Sequence, residues 1–374
     1  MGRLAWKNLF HDKVRLAVTL TGIIFALVLI LIQFGLFLGF IETSSNVVAA
    51  SGADLWISAP SIPHVNGGTP LLESKRYQML ALDGVDKVTK YGLYFIPWKL
   101  PSGAQESVQI SGFELESGMG GPWNITAGSL ADLRGEDTVI VDELYRDKLG
   151  ITHLGQTVEI NGHRARVVGY TRGIRSFTTA PYIYCSFKNA QNYIRLREQE
   201  TIFFMVKVAS GYTADQVKKN ILDHLKDVDV YTNEEMRKKT MTYWVFGTGA
   251  GVTTLMGAAL GLIVGIVVVA QTIYAATMDH IREFGTLKAM GATNGVIYQV
   301  IFTQAVLSGL MGYVVAIAIA LVIAKGSEEG NALISVPPEM VVGTLGLSVV
   351  MCVLAAVISI NKATRIDPAM VFRG

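Results

Sequence analysis

Charge is scarce in this chain and is missing altogether from four long stretches. Only 17% of the 374 residues are charged, whereas 51% are hydrophobic. That balance excludes an ordinary soluble protein and indicates a membrane protein that carries a soluble domain. The formal net charge of +2 gives no reason to expect a nucleic acid as partner.

Cysteine is nearly absent as well. Cys185 falls in a polar segment and Cys352 in an apolar run, so we expect one in water and the other in lipid. Neither has a C-x-x-C partner, which argues against a disulfide framework or a zinc site. We therefore predict that the chain itself holds no metal and no cofactor.

Catalytic and nucleotide-binding motifs are missing too. The motif of a phosphate-binding loop, G-x-x-x-x-G-K-[ST], does not occur in the sequence. The glycine-rich stretch 247–253 lacks its lysine. The histidines of the polar segment belong to no H-E-x-x-H motif, and there is no G-x-S-x-G. We therefore predict no catalytic residue and no enzyme activity on this chain.

The uncharged stretches are four apolar runs, each long enough to cross about 30 Å of hydrocarbon. One lies near the N-terminus and three follow a long polar segment. This order predicts an α-helical membrane protein with four transmembrane helices (1+3) and a large extracytoplasmic α+β domain between helices 1 and 2. The predicted spans are 16–41, 243–278 with helical extensions beyond the bilayer, 297–324 and 340–361. The other predicted segments are an amphipathic helix 1–15, the outer domain 42–242, a connecting helix 279–292, an extracytoplasmic loop 325–339 and a cytoplasmic tail 362–374.

Lysine and arginine set the expected orientation. Four of them precede the first run, and others lie in the link 279–299 and in the tail after residue 361. Because such residues accumulate on the cytoplasmic side, we expect both termini and this link inside and the large domain outside. The first apolar stretch exceeds the core of a cleaved signal peptide, so we interpret it as a signal anchor.

The polar segment alternates strand patterns with helix patterns, which predicts a mixed domain of two lobes. An Asn-Gly turn at 161–162 between two strand runs predicts a hairpin. Thr213 is a candidate N-cap for an amphipathic helix over 213–225. The other predicted elements are strands at 108–113, 138–141, 202–208 and 228–231 and a helix at 143–149.

The link between the second and third runs has apolar residues at helical spacing among charges. Ile281, Phe284 and Leu287 follow this spacing, and Gly291 suits a helix C-terminus. Such a short helix would dock into a groove of a soluble partner. A solvated connector between two spans fits the same pattern.

Two of the spans carry small residues at four-residue spacing. Gly35 and Gly39 form G-x-x-x-G in the first run, and Gly257, Gly261 and Gly265 form two overlapping copies in the second. Such faces let helix backbones approach closely, so we expect these two spans to pack together, within a protomer or across a dimer. Ionisable groups are scarce inside the runs, which argues against a proton-coupled transporter or an ion channel.

Three motifs resemble a known family. The link 282–292 reads R-E-F-G-T-L-K-A-M-G-A, the tail 363–369 reads A-T-R-I-D-P-A, and residues 4–9 read L-A-W-K-N-L. These stretches and the one-plus-three order resemble the ABC-transporter permeases of the MacB, FtsX and LolC/LolE type. Tyr243-Trp244 and the link are most similar to those of the DevC-like permeases.

The resemblance implies partners that composition alone does not reveal. It implies a cytoplasmic ABC ATPase dimer that binds ATP and magnesium, a second permease copy in a homo- or heterodimer, and membrane lipid. For DevC-like members it also implies a periplasmic adaptor and an outer-membrane channel. The link helix would contact the ATPase. Its candidate contact residues are Ile281, Arg282, Glu283, Phe284, Leu287, Lys288, Met290 and Gly291.

The function implied is export of a lipid, a peptide or another hydrophobic substrate across a bacterial inner membrane. ATP hydrolysis on the partner would move the outer domain. The alternatives are an FtsX-like signalling permease that regulates an extracytoplasmic partner and a membrane-anchored receptor. A receptor would need a cytoplasmic signalling domain, for which the predicted cytoplasmic segments are short.

Overall fold

The computed structural model describes residues 13–178, 180–279, 290–328 and 332–363, together with 283, 285–286, 288 and 330. Most of the predicted amphipathic helix 1–15 and of the tail 362–374 lies outside these residues. The chain divides into two compact units. The helical unit comprises Met1–Gly39, Val252–Ser327 and Leu333–Gly374, and the sheet unit comprises Phe40–Gly251 and Glu328–Ala332.

The elements follow in chain order. The α-helices are α1 Lys13–Ser44, α2 Asn46–Ala49, α3 Ser74–Leu80, α4 Phe187–Ile194, α5 Ala214–His224, α6 Asn233–Thr242, α7 Ala250–Asp279, α8 Asn294–Ser327 and α9 Pro338–Ala363. The strands are β1 Leu55–Ser58, β2 Leu71–Leu72, β3 Val85–Lys99, β4 Gln105–Phe113, β5 Ile125–Ala127, β6 Thr138–Asp142, β7 Thr157–Ile160, β8 His163–Thr171, β9 Tyr182–Ser186, β10 Glu200–Thr201, β11 Phe203–Val208 and β12 Asp229–Thr232.

Four of the described helices are long and apolar enough to cross a membrane. They are α1, α7, α8 and α9, and an 18-residue stretch of each has a mean hydropathy of 2.5 to 2.8. One precedes the main segment of the sheet unit, Phe40–Gly251, in the chain, and three follow it. This arrangement confirms the predicted one-plus-three order.

All four of these helices contribute to one apolar core. Ile23 of α1, Val269 of α7, Ala316 of α8 and Ala356 of α9 are each almost fully buried in it. Apolar residues lie all round these helices, so small residues decide which faces approach closely. At Gly309, for example, a Cβ atom would lie 2.8 Å from the Cys352 sulfur.

The sheet unit is built on one ten-stranded sheet rather than the predicted two lobes. Its strand order is β12-β1-β11-β3-β4-β9-β6-β8-β5, and β7 pairs with both β3 and β8. The pairs β4–β9 and β6–β8 are parallel, and the other pairs are antiparallel. Strand β3 spans 15 residues and joins the two halves of the sheet, which is why they form a single layer.

Several predicted elements of the sheet unit are confirmed. Asn161 and Gly162 have φ of 48° and 85°, as a two-residue hairpin turn of type I′ requires, and they connect β7 to β8. Thr213 caps α5 and forms a capping box with Gln216. The strands predicted at 108–113, 138–141, 202–208 and 228–231 correspond to β4, β6, β11 and β12.

The helix predicted over 143–149 is wrong in type. Only a short 3-10 helix, Glu143–Tyr145, forms there. The Asp142 carboxylate accepts a hydrogen bond from the Leu144 amide, and Gly150 has φ of 67°. Because an aspartate cap and a left-handed glycine lie so close together, the segment remains a turn.

The segment 243–278, predicted as the second span with helical extensions, is interrupted near its start. Helix α6 leads into a π-helix, Tyr243–Gly247, and α7 begins only at Ala250. Between them Gly249 has φ of 76°, and the Thr248 hydroxyl accepts a hydrogen bond from the Ala250 amide. A left-handed glycine followed by a capped helix start explains why the helix does not run through.

Candidate functional site

The link residues predicted to contact an ATPase are described only in part. Those outside the described residues are Ile281, Arg282, Phe284 and Leu287. Glu283 and Met290 are exposed, and Lys288 is half-buried. The Met290 amide donates to the Thr286 carbonyl, and Gly291 has φ of 92°, the left-handed conformation typical of a helix end. The described part thus presents side chains to its surroundings at the end of a helical turn.

The small-residue face of α7 lies against α1 in the same protomer. A Cβ atom at Gly265 would lie 2.8 Å from Ile30 Cδ1, and one at Gly261 would lie 3.4 Å from Gln33 Cγ. At Gly257 the distance to Gln33 Oε1 is 3.6 Å. The face therefore supports close packing of the two spans inside one chain.

The glycines of α1 face a different neighbour. A Cβ atom at Gly35 would lie 2.7 Å from Ile334 Cγ2, and one at Gly39 would overlap the Leu333 carbonyl. The Ser335 amide donates to the Gly35 carbonyl over 3.0 Å. The G-x-x-x-G of α1 thus accommodates the backbone of the segment before α9 and not α7, because only glycine leaves room for a backbone there.

One residue, Asn233, ties together the segment that enters the sheet unit and the segment that leaves it. Asn233, at the start of α6, donates from Nδ2 to the Val48 carbonyl (2.9 Å), the Ala53 carbonyl (3.0 Å) and Ser51 Oγ (3.1 Å). Its own backbone amide donates to the Asp54 carbonyl. The turn after α1 and the helix before α7 are therefore bonded directly to each other.

A row of rings continues this connection. Phe40, near the end of α1, lies 5.3 Å from Phe177, which lies 4.7 Å from Trp244 of the π-helix. His64 packs 5.0 Å from Trp244 and 4.3 Å from Tyr243, measured between ring centroids. Most of these contacts are edge-to-face or tilted, the arrangements that aromatic pairs prefer. We call these five residues the aromatic collar.

A buried chain of hydrogen bonds joins the collar to the middle of the sheet. Trp244 Nε1 donates to Asn66 Oδ1 (3.1 Å), and Asn66 Nδ2 donates to Gln109 Oε1 (2.6 Å). Gln109 of β4 donates in turn to Ser176 Oγ (2.8 Å) and the Ala180 carbonyl (3.0 Å). Gln109 is 0% exposed and Asn66 2%. We call Asn66 and Gln109, with the hydrogen bonds that they make, the amide relay. Because breaking one of these bonds leaves a buried amide unpaired, the relay holds its side chains in one arrangement.

Burial perturbs two titratable groups, His64 of the collar and Asp142 at the end of β6. Burial lowers the pKa of His64 to about 4, so the ring is neutral at neutral pH. Its Nδ1 accepts a hydrogen bond from the Asn66 amide. Burial raises the pKa of Asp142, whose carboxylate accepts from the Ile174 amide (2.8 Å) and the Thr171 hydroxyl (2.9 Å). Asp142 thereby anchors the loop that carries Phe177.

The same loop contacts two more segments of the sheet unit. Asn46 of α2 donates to the Arg175 carbonyl over 2.7 Å, and the Arg175 guanidinium donates to the Glu328 carbonyl. The backbone of Ser176 donates to the Tyr145 hydroxyl. The loop 172–178 is therefore a junction between α2, the sheet and Glu328.

Only part of this collar could be recognised in the sequence. Tyr243-Trp244 stood out at the entrance to the second run. His64 of the collar, and Asn66 and Gln109 of the relay, occur in segments without a motif. Their roles depend on side chains brought together from distant parts of the chain. Over the part of the chain that the structure describes, no three His, Cys, Asp or Glu side chains are grouped to hold a metal ion.

Comparison with known families confirms the resemblance to ABC transporter permeases. A model of the MacB-like periplasmic core domain matches residues 16–224, and a model of the FtsX-like permease C-terminal region matches residues 238–368. The chain belongs to this family of ABC transporter permeases.

Known relatives are distant. An uncharacterized ABC transporter permease of Mycobacterium tuberculosis is 23% identical over 380 residues, which cover 99% of each chain. The uncharacterized permease YknZ of Bacillus subtilis is 24% identical over 59% of this chain and 57% of its own. The periplasmic region of MacB from Actinobacillus actinomycetemcomitans superposes with a TM-score of 0.39 at 14% identity, over 51% of this chain and 94% of that one. For the extracellular domain of YknZ from Gram-positive bacteria the TM-score is 0.36 at 14% identity, over 48% and 99%.

Proposed function

We propose that this chain is the permease subunit through which a separate cytoplasmic ATPase moves the sheet unit on the other side of the membrane. Both termini and the link 279–292 then lie in the cytoplasm of a bacterial cell, and the sheet unit lies outside. Membership of the permease family and the basic residues of the link support this orientation. Two permease copies and an ATPase dimer complete the assembly.

The aromatic collar and the amide relay are the observation that carries the proposal. The last turns of α1 and the π-helix before α7 are the places where the chain enters and leaves the main segment of the sheet unit, Phe40–Gly251. Both contribute rings to the collar, and Trp244 is bonded through Asn66 to Gln109 in the sheet. A displacement of either span would therefore reach the sheet through packed and hydrogen-bonded groups.

The break at Gly249 provides the flexible point that such a transmission needs. Its left-handed conformation is open to glycine without strain, and a Cβ atom there would meet nothing within 4 Å. Hinges of this kind absorb backbone rotation while the flanking elements remain intact. The collar then moves as one body on a pivot at the start of α7.

On the cytoplasmic side we propose that the link helix seats in the ATPase. Glu283 and Met290 are exposed there, and a short helix with a few apolar side chains suits a groove. The substrate class we propose is a lipid, a peptide or another hydrophobic molecule. An adaptor and an outer-membrane channel belong to the DevC-like version of this proposal.

The experiment is a distance measurement across the collar. Spin labels on two surface positions of the sheet unit, one in each copy of the permease, report its movement when ATP is added to the reconstituted permease and ATPase. Trp244→Ala should abolish most of the ATP-dependent change while the ATPase remains bound. Trp123→Ala is the matched control, because Trp123 is also half-buried and packs on Tyr184 away from the collar.

Two results would contradict the proposal. If the sheet unit of the Trp244→Ala variant moves as that of the wild type does, the collar does not transmit motion. If the ATPase fails to bind the wild-type permease, or binds equally well when Glu283→Arg replaces the exposed acid, the link is not its docking site. Asp279 and Lys288 should be left unchanged in these variants so that only one charge in the link differs.

A further inference from the structure

The sheet unit contains a cavity of about 760 Å³ where two strands end together. Strand β4 ends at Phe113 and β9 at Ser186, and these two residues are paired in register. Strand β3 continues past both and provides Lys87, Thr89 and Lys90. The result is a notch in the sheet, closed on one side by α4. Small-molecule sites commonly have volumes of about 300 to 1,000 Å³.

One side of the cavity is apolar. Its wall consists of Phe113, Leu115, Phe187 and Leu196. Phe113 and Phe187 are almost fully buried, and Lys90 Nζ lies 5.0 Å above the Phe187 ring. This wall suits the aliphatic or aromatic body of a ligand.

The cations of the cavity are only partly neutralised by its acids. Arg76 pairs with Glu114 at 2.8 Å, and Lys90 pairs with Glu73 at 3.0 Å. Glu116 pairs with Arg134, and Glu198 is exposed. Among the described residues, by contrast, no carboxylate pairs with Lys87 or Lys188.

Both lysines line the cavity, Lys188 from the start of α4 and Lys87 from β3. Lys87 Nζ donates to the Ser117 carbonyl, and Lys188 is exposed in the first turn of the helix. The dipole of a helix favours an anion at its N-terminus. Charge and dipole therefore both favour a negative group at this end of the cavity.

Thr89 adds an independent sign of a missing ligand. The residue lines the cavity and is 2% exposed, yet in the described part of the chain its hydroxyl has no hydrogen-bond partner. Buried hydroxyls are normally paired, because an unpaired one loses its bonds to water without compensation. A ligand oxygen in the cavity would accept the bond that the protein does not provide.

We propose that this cavity binds an amphipathic carboxylate, a molecule with one anionic head and an apolar body. The body packs on the wall of Phe113, Leu115, Phe187 and Leu196. The carboxylate lies between Lys87 and Lys188 and accepts a hydrogen bond from Thr89. Such a ligand is either a free fatty acid or the C-terminus of an apolar peptide. The site does not depend on coupling to an ATPase and can be tested without one.

The test is calorimetric titration of the full chain in lipid nanodiscs. The probes are octanoate and the dipeptide acetyl-leucyl-phenylalanine, each compared with its neutral counterpart, octanol and the dipeptide amide. We expect saturable binding of one carboxylate and little or none of its neutral form, and the carboxylate that binds identifies the source. Lys188→Glu should weaken this binding by about tenfold. Lys219→Glu, the same change at an exposed lysine of α5, should leave it unaltered.

Thr89→Val distinguishes a binding role from a structural one. The change removes only the unpaired hydroxyl and keeps the shape of the side chain. We expect the ligand-free protein to unfold at a slightly higher temperature, while carboxylate affinity falls by about threefold. Absence of saturable binding by both carboxylates at millimolar concentration, or equal binding of the neutral probes, would overturn the proposal. Full affinity in Lys188→Glu would do the same.

Discussion

The helical unit and the sheet unit are held together by different interactions. In the core of the helical unit the packed side chains are apolar, and close contact is set by small residues such as Gly265 against Ile30. In the sheet unit, specific arrangement comes from buried hydrogen bonds such as those of Gln109 and Asp142. We therefore expect the helical unit to lose stability mainly when a small residue is enlarged, and the sheet unit mainly when a buried hydrogen bond is removed. The predictions below test this contrast, from the largest effect to the smallest.

The largest effect is expected at the centre of the amide relay. Gln109→Ala leaves Asn66 and the Ala180 carbonyl without their buried partner and opens a cavity. We expect the free energy of unfolding to fall by about 3 kcal/mol. Chemical denaturation of the detergent-solubilised chain measures it. Gln105→Ala, at an exposed position on the same strand, is the matched control, and an equal loss there would refute the special role of the relay.

A substitution in the helical unit should cost somewhat less. Gly265→Leu forces a side chain into the place of Ile30, so α1 and α7 must separate, at a cost of about 2 kcal/mol. Thermal stability in detergent reports the change. Gly346→Leu serves as the control because no atom lies within 4 Å of its Cβ position. If both variants are equally stable, the α7 glycine face is not a packing surface.

The third prediction concerns pH. Burial lowers the pKa of His64 to about 4 from its ordinary 6.5. As pH falls through this window the unfolded chain takes up the proton first, so the folded state loses stability. Allowing for the partial exposure of the ring, we expect a loss of roughly 1 to 2 kcal/mol between pH 6.5 and 4, relative to His64→Gln. Asp142 titrates in both proteins and cancels in the difference. Parallel stability curves for the two proteins would contradict the burial of a neutral ring.

The smallest effect is expected at an exposed ion pair of the sheet unit. Arg134 and Glu116 lie 2.7 Å apart, but their side chains are 67% and 82% exposed. Solvent screening and side-chain entropy offset most of the attraction, so Arg134→Ala should change the free energy of unfolding by less than about 0.5 kcal/mol. The same denaturation experiment measures it. A loss comparable to that of Gln109→Ala would show that surface charge, rather than buried amides, stabilises this unit.

Local patterns predicted much of the sheet unit. The Asn-Gly turn at 161–162 and the Thr213 cap are short-range signals, since the residues that cause them are neighbours in the chain. The helix predicted over 143–149 was wrong, because the Asp142 cap and the left-handed Gly150 outweighed the helical periodicity of the segment. The glycine-rich stretch 247–253 was visible in the sequence, but the sequence did not show which of its glycines takes the left-handed conformation; the structure places it at Gly249.

The candidate sites also differ in how far the sequence could predict them. The link residues form a contiguous motif and were singled out directly, and their role in contacting an ATPase stays a prediction. The collar and the carboxylate cavity combine residues far apart in sequence, such as Phe40, Phe177 and Trp244. Nothing in the sequence around Thr89 shows that its hydroxyl is buried without a partner.

The sequence by itself determined the division of this protein into four apolar helices and one polar domain, because hydrophobic length and charge act locally and add along the chain. It also determined the turns and caps that neighbouring residues make. Only the tertiary structure decided which glycine face meets which neighbour. It alone joined the strands into one sheet and brought the collar, the relay and the cavity together. All of these features require packing, or pairing of buried polar groups, between residues that are far apart in the sequence. Whether such a contact forms is decided by both partners and not by either residue alone.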